Sequence, residues 1–124
     1  MIFKVFKKKQ NFYPVSNQLA QNRTLSYEAR GLLIEILSRP PGWNFSMNRM
    51  VTVKPKQGIS KVRRIFKELE KAGYLCFWIE KDKKNQFVIN RGWAASEEPL
   101  DEEEFALKIS PDNQKNVYIV PQKL

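Results

Sequence analysis

Apolar residues recur at steps of three and four in two segments of the chain. In the first, Ala29, Leu32, Leu33, Ile36 and Leu37 follow the i, i+3, i+4, i+7, i+8 spacing of a buried helical face. Ser26 stands where an N-cap belongs, and Pro40-Pro41-Gly42 ends the helix. In the second, Ile59, Val62, Phe66 and Leu69 line one stripe of a helix predicted from about Gln57 or Ile59 to Ala72. Gly73 stops that helix. Between the two, Ser46 can cap a short helix from Met47 to about Thr52, and Pro55 to Gly58 makes a turn.

Other stretches read as extended. Tyr74 to Glu80 is rich in aromatic and branched residues, as strands are. Lys81 to Asn85 is a polar turn, and Gln86 to Asn90 returns as a second strand, so this region predicts a hairpin with a cationic tip. Met1 to Phe6 alternates loosely and predicts an edge strand, guarded by Lys7-Lys8-Lys9. Residues 10–24 read as an extended lead-in around Pro14 with a helical turn at Ser16–Gln21. After Trp93 come an acidic segment from Glu97 to Glu104, a helical turn and a last strand at Asn116–Val120. The pattern as a whole is α+β.

Charge adds a division that periodicity does not show. The chain of 124 residues has a formal net charge of +9. Residues 1–93 hold 19 Lys and Arg against 6 Asp and Glu, whereas residues 94–124 hold 3 against 7. This predicts a basic body over 1–93 and an acidic C-terminal extension over 94–124. A basic balance of this size points to a polyanionic partner. No apolar run approaches the roughly 18 residues that a membrane span needs, and Met1–Gln10 does not read as a signal peptide.

Candidate chemistry is limited by what the chain lacks. Histidine is absent and Cys76 is the one cysteine. Zinc sites of the common kinds and imidazole-based catalysis are thereby excluded, and the isolated glycines form no phosphate loop. No residue set supports an enzyme or a cofactor. A lone Cys76 makes no internal disulfide, which fits a reducing cytoplasm. Between Leu75 and Phe77 it reads as a small packing residue.

The cations carry the functional signal. Lys61, Arg63, Arg64, Lys67 and Lys71 sit off the apolar stripe of the second helix, partly balanced by Glu68 and Glu70 at helical spacings. A packed helix that offers such a row suits a DNA major groove; the alternative is a solvated face. Arg63 and Arg64 are the better base readers, since a guanidinium binds guanine in two places.

The run Pro14, Asn17-x-Leu19, Leu25-Ser26-x-x-Ala29-Arg30-Gly31-Leu32-Leu33, Leu37-Ser38-x-Pro40 and Gly42-Trp43-x-Phe45-Ser46 resembles the N-terminal winged helix-turn-helix domain of plasmid and phage replication initiators. Small phage helix-turn-helix proteins share the pattern, and Leu69-Glu70-x-x-Gly73-Tyr74-Leu75 continues it. The resemblance covers about residues 12–80. It implies three helices and a β-hairpin wing, with a short C-terminal extension. It implies recognition-helix roles for Gln57, Ser60, Lys61, Arg63, Arg64 and Lys67, and wing roles for Lys81, Lys83 and Lys84. Pro55 departs from the family by shortening the second helix. The further domain that initiators carry has no counterpart here, so a winged-helix domain working alone is the expectation.

Remaining features divide between structure and function. Leu32 and Leu33 are expected in the core, with Gly31 permitting close helix packing. Arg30 is open between a phosphate and a neighbouring carbonyl. Trp43 and Phe45 are expected to plug the first two helices. Of Phe77, Trp78 and Ile79, at least one is expected to be exposed or to cover the tail; an exposed aromatic there would suit a homodimer or partner surface. The carboxylates Glu97, Glu98, Asp101, Glu102, Glu103 and Glu104 read as a solvated linker, or as a segment that competes with DNA or binds a basic protein. The leading functional expectation is double-stranded DNA binding by a replication-initiator-like protein or small transcriptional regulator of a phage or plasmid. The alternative is a phage-encoded inhibitor that uses the same scaffold against a protein target, such as a host defence nucleoprotein complex.

Overall fold

Three of the four helices begin at a capping side chain, and a glycine closes the other. The computed structural model describes residues 3–6, 13–39, 58–112 and 114–122. Helix α1 (Asn17–Ala20) starts at Ser16, whose hydroxyl accepts the Leu19 amide. Helix α2 (Tyr27–Ser38) starts at Ser26, whose hydroxyl accepts the Ala29 amide at 3.1 Å. It buries Ala29, Leu33, Ile36 and Leu37, with Leu32 half-buried.

Gly31 corrects an expectation. It is exposed, and a Cβ there meets nothing within 4 Å, so it permits no close packing. At 3.6 residues per turn it lies roughly 200° around the helix from Ala29, away from the core.

Helix α3 (Gly58–Lys71) buries Val62, Ile65, Phe66 and Leu69 and leaves Ile59 half-buried. Ile65 was not on the predicted stripe, although it lies three residues after Val62 and four before Leu69. The helix closes with a left-handed Gly73 (φ 90°), the Gly73 amide on the Glu70 carbonyl and the Tyr74 amide on the Leu69 carbonyl. A side chain at position 73 would also place its Cβ 3.0 Å from the Leu100 carbonyl oxygen, and the Leu100 amide bonds the Gly73 carbonyl at 2.9 Å. One glycine both stops α3 and receives the C-terminal segment.

Strand β1 is Phe3–Phe6, β2 is Leu75–Lys81, β3 is Val88–Ser96 and β4 is Val117–Ile119. They form a sheet in the order β1-β3-β2-β4. β2 and β3 are an antiparallel hairpin, with Phe77 opposite Trp93. β1 lies parallel to β3 at one edge, and β4 lies antiparallel to β2 at the other. The predicted second hairpin strand, Gln86–Asn90, is thus displaced and longer. Its C-terminal half, Gly92–Ser96, is buried between β1 and β2. The residue-93 boundary drawn from charge falls inside this strand.

Strand alternation divides the interior in two. On one sheet face, Leu75, Trp93 and Ala95 pack against the buried residues of α2 and α3. Trp93 takes Phe66 and Phe77 edge-on, with ring centroids 5.1 and 5.3 Å away. On the other face, Cys76, Trp78 and Ala94 pack against Leu100, Phe105, Ala106 and Val117. The last three belong to helix α4 (Glu102–Ile109) and β4, so the C-terminal extension folds back onto the sheet.

Glu98 and Asp101 to Glu104 are exposed, as expected of a solvated segment, but Asp101 to Glu104 open a helix and are not a linker. Asp101 caps α4: its carboxylate accepts the Glu104 amide at 2.8 Å, while the Glu104 carboxylate accepts the Asp101 amide at 3.1 Å. That reciprocal pair is a capping box. The short helix expected at Met47–Thr52, the Trp43 and Phe45 plug, the Lys7–Lys9 run and Gln57 lie outside the described residues. The described residues form an α+β fold with four α-helices and four strands; among them no helix is long and apolar enough to cross a membrane.

Candidate nucleic-acid interface

The periodicity that buries Val62, Ile65, Phe66 and Leu69 turns Ser60, Arg63, Arg64, Lys67 and Lys71 to the opposite side of α3. All five are exposed. At about 100° per residue they fall within an arc of roughly 100°. Among the described residues none of the four cations is in an ion pair.

The two acids expected to balance them point elsewhere. The Glu68 carboxylate accepts the Ser26 amide at 2.6 Å and the Ser26 hydroxyl at 3.0 Å, which ties α3 to the start of α2. Glu70 turns to the C-terminal segment, where its carboxylate accepts the Gln122 amide at 3.4 Å. Burial raises the Glu70 carboxyl above its ordinary value, against the opposing pull of that amide and of Lys67. Its second oxygen is buried without a hydrogen-bond partner, beside a cavity of about 350 Å³ lined by Leu75, Leu100, Phe105 and Pro121.

Lys61 departs from the expected row. It is half-buried and bonds Glu28 of α2 at 2.7 Å, on the flank of the helix. That hydrogen bond holds the Glu28 carboxyl below its ordinary value, with Arg64 adding a weaker field. Arg30 donates to the Ala20 carbonyl at 2.5 Å and stacks over Tyr27, so it caps α1.

The hairpin tip is the second cationic surface. Lys83 and Lys84 are exposed in the turn. Lys81 is instead within β2, half-buried, its ammonium 5.3 Å from the centre of the Tyr118 ring. Asp82 organises the turn. Its carboxylate accepts the Gln86 amide at 2.8 Å and the Phe87 amide at 3.4 Å. Its own amide bonds the Phe87 carbonyl at 2.9 Å, and the Asn85 amide bonds its carbonyl at 2.8 Å. Asn85 takes the left-handed conformation (φ 59°) that asparagine tolerates. The C-terminal segment braces the turn from outside: Asn116 donates to the Asp82 carbonyl at 2.7 Å and Tyr118 donates to the Asn85 side chain at 3.0 Å.

Two surface residues here were missed from sequence. Phe87 and Arg91 are both exposed, Phe87 at 68%. For Phe87 the signal available was its position beside the lysines of the turn; Arg91 lies further along β3, opposite Ile79. On β2 it is the second of the two expected outcomes that holds: Trp78 packs against the C-terminal segment, while Phe77 packs on Trp93. Cys76 is buried, and burial together with the nearby Glu70 pushes its thiol up to about 12, which suits packing and not nucleophilic work.

Comparison with protein-family models, curated proteins and solved structures finds no match.

Proposed function

We propose that this chain is a winged helix-turn-helix protein that binds double-stranded DNA. In this reading α3 is the recognition helix and the β2–β3 hairpin is the wing. The role is that of a replication-initiator-like protein or a small transcriptional regulator. One observation carries the reading: Arg63, Arg64, Lys67 and Lys71 share an exposed face of α3 while Glu68 and Glu70 are turned to other partners. A helix of 14 residues anchored along its opposite side presents that face without rearrangement. Arg63 and Arg64 suit base edges, Lys67 and Lys71 suit phosphates, and Ser60 suits either. Lys83 and Lys84 suit the neighbouring backbone. Lys61 is left outside the base-reading set because Glu28 occupies it.

The test is the paired substitution Arg63→Ala and Arg64→Ala. Both side chains are exposed, so folding is expected to be unchanged. Affinity for a cognate duplex is expected to fall about 100-fold or more, since each bidentate pair contributes about 1–3 kcal/mol of discrimination. Unchanged affinity in that variant overturns the assignment.

A further inference from the structure

The hairpin tip exposes more than lysines. Phe87, Val88 and Ile89 form a continuous exposed apolar run, at 68%, 39% and 55%. Scattered single apolar residues on a surface need no explanation, but Phe87, the most exposed of the three, stands in the turn itself, while Val88 and Ile89 open β3 and alternate between its faces. Lys83, Lys84 and Arg91, all exposed, flank the run. The acids nearby are occupied: Asp82 by the turn amides, Glu80 by Asn90 and Ser110. The backbone of Phe87 is held on both sides, its amide on the Asp82 carboxylate and its carbonyl on the Asp82 amide. An apolar ring is therefore presented to solvent on a fixed turn that also exposes Lys83 and Lys84.

We propose that Phe87 is a wedge that enters a base step of duplex DNA while Lys83, Lys84 and Arg91 hold the flanking phosphates. This rests on the DNA-binding reading and deepens it. An apolar side chain inserted between base pairs partly unstacks them and kinks the duplex. Pyrimidine–purine steps open most easily, so the wedge favours them at positions where no side chain reads a base edge. The charge around the ring selects a polyanion over an apolar protein groove.

The test uses the full chain and the duplex it enriches most from random DNA, with 2-aminopurine placed at successive positions. Wild type is expected to raise the fluorescence at one step, as unstacking does. Phe87→Ala is expected to lose that rise and to bind about 10-fold more weakly, with its thermal midpoint unchanged. Phe87→Leu, still an apolar wedge, is expected to keep most of the rise. Lys83→Ala with Lys84→Ala is expected to weaken binding and flatten its salt dependence, yet keep the rise at saturation. Tight binding by wild type with no fluorescence change at any position overturns the wedge and leaves DNA binding intact. So does a Phe87→Ala variant indistinguishable from wild type. Failure of wild type to enrich or bind any duplex overturns the wedge and the DNA-binding reading together.

Discussion

The outer face of α3 and the tip of the β2–β3 hairpin both expose cations, yet they are held by different means. The helix face is placed by what lies behind it: Val62, Ile65, Phe66 and Leu69 are buried, and the cations follow from the 3.6-residue period. Among the described residues Arg63, Arg64, Lys67 and Lys71 form no ion pair. The hairpin tip has no core behind it. It is placed by polar contacts, with Asp82 at the centre and Asn116 and Tyr118 bracing it from a segment some thirty residues further along the chain. Apolar burial thus makes one surface tolerant of substitution, whereas the other depends on a few hydrogen bonds and on the docking of the C-terminal segment.

The sharpest way to break this contrast is to remove the support of the helix. Phe66→Ala deletes a fully buried ring that meets Trp93 edge-on and is expected to cost about 3–5 kcal/mol of stability by denaturant unfolding. A loss below about 1 kcal/mol contradicts the role given to the α3 core. Next in size is Asp82→Ala, which leaves the Gln86 and Phe87 amides without their acceptor. It is expected to cost about 1 kcal/mol, and hydrogen exchange at residues 83–87 is expected to accelerate while exchange in α3 stays unchanged. Equal acceleration in both regions contradicts their independence.

Glu70 supplies a pH dependence whose sign is set by its raised carboxyl. The folded state holds the proton more tightly than the unfolded chain, so stability is higher at acid pH and declines as pH rises from about the ordinary 4.5 through the folded value. Glu70→Gln is expected to remove that decline in a series of denaturant midpoints across pH 4–7. A steeper decline in the variant contradicts the burial argument. The smallest effect expected is on DNA: Lys61→Met is expected to change affinity by less than about threefold, because Lys61 is engaged with Glu28 on the flank of α3. A loss as large as that of Arg63→Ala with Arg64→Ala returns Lys61 to the binding face.

The parts of the fold legible in sequence are those made by local repetition. Ala29, Leu33, Ile36 and Leu37, and Val62, Phe66 and Leu69, announce their burial through spacing alone. The first hairpin strand, with its aromatic and branched residues, does the same. The second does not, because Arg91-Gly92-Trp93-Ala94-Ala95-Ser96 has no β-branched residue; its burial comes from β1 and the C-terminal segment, which only the tertiary fold supplies. The acidic segment hid a readable signal, since Asp101-x-x-Glu104 before Phe105 is a capping box written in sequence. Among the candidate site residues, Ser60, Arg63, Arg64 and Lys67 share the exposed face, and Lys83 and Lys84 lie at the exposed tip. The contacts of Lys61 and Lys81 were not legible for one reason: Glu28 and Tyr118, which engage them, are more than thirty positions away in the chain. Charge alone does not show whether a cation is already spoken for.

The central claim is that the cations of α3 read duplex DNA. The most direct test is binding of the purified chain to the DNA upstream of its own coding sequence, followed by fluorescence anisotropy across a salt series. The account predicts tight binding that survives competitor DNA and weakens steeply as salt rises, with a log–log slope near −0.9 for each phosphate engaged. Weak binding that is indifferent to sequence contradicts it, and directs the search for a target to proteins.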